Sequence, residues 1–530
     1  MGCPQQKIKQ GKNWEGGGCN SLLICTTSGS WFTLASWNTT TIRVQFLENM
    51  RSSRAKFAYT LLCVLAVYAS ARSGLLAQDS GAAAQASSAS DNSSTQPSSA
   101  DPDDTLTLFP HSSTSRWWIS GQGNIVFQAH RPFHADYSGP NSLRSEGESA
   151  TSQVFTLYLG YQLSKTTEVF LDLESAGGHG ISDALGLAGA SNLDVVRNPD
   201  LSQNPYVARL MIRQIIPLGS QRTEADRDPF HLNTSVPVRR LEFRAGKFSV
   251  VDFIDQNTWG SDSHLQFLNW TVDNNGAYDY AANTRGYTDG AMLEYYDHWF
   301  SARWVEALMP KVANGINLDA DVARARAENL ELEADGKRIA HREGTVRVLA
   351  FLNHADMGNY RQAIENFEHS DGQESAPSII ATRRQGRHKY GFGLNFEQSI
   401  NGSVGVFGRF GWSDGRNESF AYTEVDRTAQ IGGFWEGTAW HRPNDRAGVV
   451  FVANGIVAAH QQYLALGGVG FLLGDGGLAY GPEKIEEGFY TAHVWRGFFA
   501  SFDLQHFNNP GYNMARGPVT VPGLRAHLDF

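Results

Sequence analysis

The chain ends on twelve residues, Val519 to Phe530, that read V-T-V-P-G-L-R-A-H-L-D-F. Side chains alternate across a strand. Leu524, Ala526, Leu528 and Phe530 therefore share one face, and Arg525, His527 and Asp529 share the other. An apolar face, a charged face and a terminal aromatic residue suit the closing strand of a transmembrane β-barrel, with lipid outside and water inside. An edge strand of a soluble β-protein also alternates, so the rest of the chain must decide.

The same period recurs from Trp117 onward. Phe155, Leu157, Leu159, Tyr161 and Leu163 alternate with Thr156, Tyr158, Gly160 and Gln162, and Tyr390, Phe392, Leu394 and Phe396 alternate with Gly391, Gly393, Asn395 and Glu397. Strands are expected at 117–130, 153–163, 169–174, 206–216, 239–251, 288–298, 299–309 and 344–354. More follow at 388–399, 403–413, 419–433, 447–459, 488–496, 498–507 and 519–530. The polar face carries carboxylates, arginines and glycines, as a wet interior requires, and aromatic residues gather near strand ends, as an interfacial girdle requires. Short turns at 164–168 and 400–403 contrast with long polar loops at about 131–151, 175–205, 217–238 and 253–287. The expected fold is all-β: a transmembrane antiparallel barrel of about 16 strands with short periplasmic turns and long extracellular loops. Leu318 to Gly336 reads as a solvated charged helix or loop, and Asn359 to Phe367 has helical spacing; both are expected to connect strands.

Composition supports this reading. Mean hydropathy is −0.34, and no stretch beyond the amino terminus has the ~18 apolar residues of a spanning helix. The net charge of −10 gives no support for nucleic-acid binding. All four cysteines, Cys3, Cys19, Cys25 and Cys63, lie in the first 63 residues. A basic start at Met50, Arg51, Arg54 and Lys56 leads into the apolar run from Phe57 to Ala71, the pattern of a secretory signal over 50–77. Translation is expected to begin at Met50, leaving 1–49 as an unstructured extension from a misplaced start. Residues 78–116, rich in Ser and Ala, read as a disordered lead-in to a barrel over 117–530. With the signal removed no thiol remains, so neither disulfides nor cysteine-held metal can brace the fold.

Motifs for chemistry are missing. Gly121-Gln-Gly123 and Gly474-Asp-Gly-Gly477 lack the Lys-Ser/Thr of a phosphate loop. There is no His-Glu-x-x-His and no Gly-x-Ser-x-Gly. No enzyme activity, cofactor or metal is expected.

Several blocks resemble the OprB-type carbohydrate-selective porins. They are Phe133-His-Ala-Asp-Tyr-Ser-Gly-Pro-Asn-Ser-Leu143, Gly246-Lys-Phe-Ser-Val-Val-Asp-Phe-Ile-Asp255 and Gln266-Phe-Leu-Asn-Trp270. Arg285-Gly-Tyr-Thr-Asp-Gly290, Met357-Gly-Asn-Tyr360 and Gly470-Phe-Leu-Leu-Gly-Asp-Gly476 are similar to later family blocks. Glu486-Glu-Gly-Phe-Tyr490, Asp503-Leu-Gln-His506 and Asn509-Pro-Gly511 resemble the family's ending. The resemblance implies a sixteen-stranded barrel in the outer membrane of a Gram-negative bacterium that passes mono- or small oligosaccharides by diffusion. A general non-selective porin and a structural or adhesive barrel remain as alternatives.

Selectivity in such a pore comes from a constriction and the groups lining it. Candidates are Arg131, Asp136, Tyr137, Asn141 and Arg144 in the first long loop, and Asp252, Asp255, Trp259, Asp262, Asn269 and Trp270 in or beside the loop after 251. Arg383, Arg384 and Arg387 form a basic cluster, either a lumen ladder or a loop that binds lipopolysaccharide phosphate. Expected partners are small saccharides, outer-membrane lipid and lipopolysaccharide, and the barrel-assembly machinery through the strand ending in Phe530. A homotrimer and a monomer both fit.

Overall fold

The computed structural model describes Leu23–Cys25, Trp31–Thr33 and residues 106–195, 201–335 and 343–530. The chain divides into two units, Met1–Ala84 and Gln85–Phe530. In the first, Leu23–Cys25 pairs antiparallel with Trp31–Thr33. The expected extension, signal and most of the lead-in otherwise fall outside the described residues.

In the second unit sixteen antiparallel strands close into a barrel. The first eight are β1 (Trp117–His130), β2 (Glu148–Gln162), β3 (Thr167–Gly178), β4 (Tyr206–Pro217), β5 (Arg240–Phe248), β6 (Thr288–Tyr296), β7 (Phe300–Leu308) and β8 (Arg326–Asp335). The others are β9 (Gly344–Met357), β10 (Arg384–Asn401), β11 (Val404–Ser413), β12 (Arg427–Glu436), β13 (Arg446–Gly455), β14 (Glu483–Trp495), β15 (Phe498–Asn508) and β16 (Val519–Asp529). The ring closes where β16 meets β1, with Leu524 opposite Phe127 and Ala526 opposite Ile125. Phe530 and Gly121 exchange backbone bonds of 2.9 and 2.7 Å, so the pairing runs to the last residue. A closed ring leaves no edge of unmatched N–H and C=O groups, which is what allows a sheet to cross hydrocarbon.

The faces are inverted relative to a soluble protein. Ile119, Phe127, Leu210, Leu332, Phe392, Phe410, Phe451 and Leu524 are exposed on the outside, while Gln122, Asn124, Glu242, Asn329, Asn353, Gln505 and Arg525 are buried within. No helix among the described residues is long and apolar enough to cross a membrane. The ends of β1 and β16 share one rim with the tight turns at 163–166, 297–299, 402–403 and 496–497, and long loops crowd the other rim.

Five expectations need correction. Leu318 to Gly336 is not a helix or a loop throughout, because Arg326–Asp335 is barrel strand β8. Its Glu331 and Glu333 face inward, where Arg303 meets them at 2.9 and 3.1 Å, and its Leu330 and Leu332 are exposed outside. The strand expected at 419–433 begins only at Arg427, and the residues before it fold inward as a loop. The strand expected at 447–459 stops at Gly455, and a helix, Ala458–Ala465, follows. The stretch 217–238 belongs to the rim of the tight turns, not to the rim of the long loops. It forms its own ladder, Arg222–Glu224 with Ser235–Pro237, and its tip returns into the barrel. There Glu168 accepts from Leu232 N at 3.2 Å, and the Arg209 guanidinium lies 4.9 Å above the Phe230 ring. Finally, the end of the lead-in is ordered: Leu108 N donates to Asp529 O at 2.8 Å, and the His111 ring lies 4.4 Å from Trp118. The helical spacing at 359–367 corresponds to a helix, Tyr360–Glu368, capped by Asn359, whose side chain accepts from Gln362 N.

Candidate functional site

The lumen is the site, and an inward loop shapes it. Residues 249–287 contain little regular structure, and their polar residues supply it locally. Asn257, Asp262, Asn269, Asn275 and Asn283 each accept a bond from the backbone N–H two residues on. Such turns let a chain rich in Asn and Asp fold tightly while its backbone stays satisfied. Segment 179–195 and loop 414–426 pack on this loop. Trp270 donates from Nε1 to Asn192 O at 2.8 Å and stacks on Tyr422 at 5.5 Å and 5°.

Carboxylates on the strands pin these segments by their backbones. Glu487 accepts from Leu268 N at 2.6 Å, Glu331 from Asp255 N at 2.7 Å and Glu397 from Thr258 N at 2.6 Å. Glu483 accepts from Ala188 N and Gly511 N, at 3.1 and 2.8 Å. Each bond satisfies a backbone donor that would otherwise be buried without a partner, a loss of about 1–3 kcal/mol.

Across β3 to β10 the same inward face carries a chain of alternating charges. Glu168 pairs with Arg213 at 2.7 Å, Arg213 with Glu242 at 2.7 Å, Glu242 with Arg244 at 3.2 Å and Arg244 with Glu294 at 2.9 Å. Glu294 continues to Arg303 at 3.6 Å, and Arg303 to Glu331 and Glu333. Glu333 pairs with Arg347 at 2.7 Å, and Arg347 with Glu397 at 3.2 Å. Arg209 joins Asp172 to Asp252 alongside, at 3.2 and 2.7 Å. Aromatic faces accompany the guanidiniums: Phe253 lies 4.6 Å below Arg244, Tyr296 3.9 Å below Arg240, and Phe230 meets Phe253 edge-on at 6.1 Å. Part of the belt is fully buried, with Glu168 and Glu242 side chains at 0% and Glu331 at 1%, and it meets solvent at Arg209 and Arg303, 11% exposed, and at Glu333, 23%. On the opposite wall, Gln505 is 0% and Glu487 2% exposed beneath the loops.

The eleven candidates from sequence separate into two groups. Those of the first loop stand at the extracellular mouth. Arg131 is exposed, and Asp136 pairs with His134 at 2.9 Å. Tyr137 donates to Asn513 at 3.1 Å, and Asn141 donates to Gly470 O at 2.8 Å, so both tie loops together. Arg144 bridges Glu148 and Asp183. The second group lies inside the barrel. Asp252 takes both arms of Arg209 at 2.7 Å. Asp255 is buried against Arg409 at 3.1 Å and accepts from Asn275 N at 2.6 Å, so it anchors the loop. Asn269 and Trp270 are likewise buried anchors. Trp259 packs so closely on the wall that a Cβ at Gly405 would come within 2.5 Å of its ring. Asp262 keeps 33% exposure and faces Arg446 at 3.6 Å.

His264 sits beside Asp262 in the same loop, 3.3 Å from Asp194. Burial opposes its charge, but the Asp194 carboxylate outweighs burial and lifts the imidazole to about 9. Asp194, despite its own burial, is held below the usual carboxylate range by His264.

Sequence reasoning missed the belt and Phe230. The signal for the belt was present, since nearly every strand from β3 to β10 carries Arg or Glu on its polar face. Phe230 gave no signal, because it comes from a turn at the periplasmic rim. The cluster Arg383, Arg384 and Arg387 forms no lumen ladder: it lies at the extracellular rim, and Arg383 is bonded to Glu418 at 2.8 and 3.0 Å.

The sequence profile of the family described as "Carbohydrate-selective porin, OprB family" matches residues 141–530. A search of curated protein sequences finds no match. Among solved structures, the high-pH structure of Pseudomonas putida OprB aligns with a TM-score of 0.59 at 14% identity, over 78% of this chain and 94% of that one. The outer membrane channel DcaP of Acinetobacter baumannii aligns with a TM-score of 0.42 at 9% identity, over 78% of this chain and 97% of that one. At 14% identity the likeness to the first is one of fold.

Proposed function

The chain belongs to the OprB family of carbohydrate-selective porins, and from that premise we propose that the Arg–Glu belt is the part of the lumen that selects the sugar. The barrel is an outer-membrane channel for carbohydrates. Passage by diffusion needs no cofactor and no reacting group. A neutral sugar has hydroxyls that both donate and accept, and apolar ring faces. Alternating guanidinium and carboxylate groups match the hydroxyls, and Phe230, Phe253 and Tyr296 match the ring faces. Because the charges are paired, the belt offers polar contacts without a strong field of one sign, which favours neutral solutes over ions. The observation that carries this reading is the unbroken run of pairs from Glu168 to Glu397, which meets solvent at Arg303, Glu333 and Arg347. Export relies on the signal at 50–77, and the assembly machinery reads the closing strand that ends in Phe530.

The test is solute flux into liposomes that contain the folded chain, comparing glucose, a disaccharide and an amino acid of similar size. Faster sugar uptake that falls in Arg303→Gln and Arg347→Gln variants supports the assignment. Equal uptake of all three solutes replaces it with a general porin. Sugar preference that persists in both variants moves the filter elsewhere in the lumen.

A further inference from the structure

A second polar feature lies outside the pore, at the extracellular rim. Helix Tyr360–Glu368, the first residues of β10 and loop 414–426 enclose a cleft of about 380 Å³. Its lining includes Gln362, Arg384, Arg387, His388, Asp414 and Arg416. The scaffold is fixed by backbone bonds: Asn417 donates to His388 O at 2.8 Å, Asp414 N to Tyr390 O at 3.0 Å and Tyr360 N to Arg416 O at 3.2 Å.

Charge in the cleft is unbalanced. Three guanidiniums face one carboxylate, Asp414. Glu418, which could have neutralised them, is taken by Arg383. Among the described residues neither Arg384 nor Arg416 forms an ion pair. Arg387 donates to Gln362 through Nη2, while its Nη1 is buried without a hydrogen-bond partner.

The cleft also has a defined position against the membrane. His388, Tyr390 and Phe392 share the outward face of β10, since they alternate with the buried Lys389 and the inward Gly391. Phe392 lies opposite Trp412 and stacks with it at 6.0 Å, and Tyr390 meets Trp412 edge-on at 5.7 Å. Exposed aromatic residues in such a cluster mark the membrane–water interface. Arg427, exposed and opposite Trp412, adds a cation at the same level. The cleft therefore opens where headgroups begin.

We propose that this cleft binds a phosphate monoester carried on a sugar. Guanidinium groups recognise phosphate with two parallel bonds, and three of them around one pocket favour a doubly charged oxyanion over a neutral saccharide. Two sources present that chemistry here, the headgroup of an anionic glycolipid in the outer leaflet and a soluble sugar phosphate arriving at the mouth. The site is separate from the lumen and does not depend on which sugar passes.

The purified full chain in detergent micelles is offered four probes: a lipid A-type glycolipid, the same glycolipid stripped of phosphate, glucose 6-phosphate and glucose. The expected result is at least tenfold tighter binding of a phosphorylated probe than of its dephosphorylated counterpart. That margin collapses in the Arg384→Gln/Arg387→Gln/Arg416→Gln variant, while glucose flux is unchanged. Preference confined to the glycolipid pair assigns the lipid source, and preference confined to glucose 6-phosphate assigns the soluble one. If the triple variant fails to fold, Arg416→Gln alone, which breaks no ion pair, should lower phosphate-dependent binding severalfold. No phosphate dependence in either pair, or phosphate dependence that survives in the folded variant, overturns the proposal.

Discussion

The two walls of the lumen are built from the same strand pattern and do different things. On β3 to β10 most inward carboxylates find an arginine on the same or a neighbouring strand, and the run meets water at Arg303, Glu333 and Arg347. On β14 to β16 the inward groups include Glu487, Asp503, Gln505 and Arg525, and the long loop covers them. There Glu487, Gln505 and Arg525 hold loop backbone: Glu487 accepts from Leu268 N, Gln505 donates to Ser191 O at 2.8 Å, and Arg525 donates to Ser263 O at 2.7 Å. A polar face does not by itself define a pore lining. What matters is whether its charges are completed within the wall or by a segment that folds onto it. Glu331 and Glu397 do both, so the belt also positions the loop that faces it.

The largest loss is expected where β11 holds the inward loop. Arg409 is buried, pairs with Asp255 and donates to Val272 O at 2.7 Å, so Arg409→Met strands a carboxylate and frees the loop. Removing one partner of such a buried pair costs about 3–5 kcal/mol. Chemical unfolding of the folded barrel should show that loss, and single-channel records should become noisy as the loop detaches. Belt variants such as Arg303→Gln should cost less, on the order of 1–2 kcal/mol, because glutamine retains donors and water reaches the site. Their main effect should be a shift of reversal potential toward cation preference, as Glu331 and Glu333 lose their counter-charge. Equal destabilisation by both variants would erase the distinction between the walls.

A third change sharpens the comparison from the periplasmic side. Phe230→Ala removes a ring that reaches the belt from a turn, lying 4.9 Å from Arg209 and 6.1 Å from Phe253. Single-channel conductance should rise if the ring narrows the path, with the sugar preference reduced. Unchanged conductance would place Phe230 in packing alone.

How much of this was legible follows from where each partner lies. The barrel was, because period two is a property of one segment. The closing strand behaves as read, with Leu524 exposed and Arg525 and His527 buried. Strand β8 was not, because R-A-E-N-L-E-L-E-A-D carries enough charge to look solvated until Arg303 and Arg347 stand beside it. Asp252 and Asp255 were both placed in the site, yet no pattern along the chain says that one faces a belt arginine and the other anchors a loop. The tip of turn 217–238 was lost for the same reason: its destination, Glu168, is more than sixty residues away.

The smallest expected effects come from pH and the mouth. His264 is lifted to about 9 with Asp194, Asp262, Arg525 and His527 around it. A raised histidine contributes stability that is complete below its ordinary value near 6.5 and is lost as pH rises through about 9. Asp194, depressed, contributes above the ordinary carboxylate value, and that part is lost as pH falls through its lowered one. The contribution of this pair to thermal stability should therefore be flat between about pH 5 and 6.5 and fall toward pH 9, a change read as the difference between the native chain and His264→Gln. His264→Gln should flatten the alkaline slope, and a slope that persists in it would assign the titration to another group. At the mouth, Arg144 makes its two ion pairs with half its side chain in water, a setting in which such pairs contribute about 0–1 kcal/mol. Arg144→Ala should leave stability within that margin and leave sugar flux unchanged. A clear loss of flux without loss of stability would move part of the selection from the belt to the mouth, and the two-wall picture would then describe only how the lumen is held open.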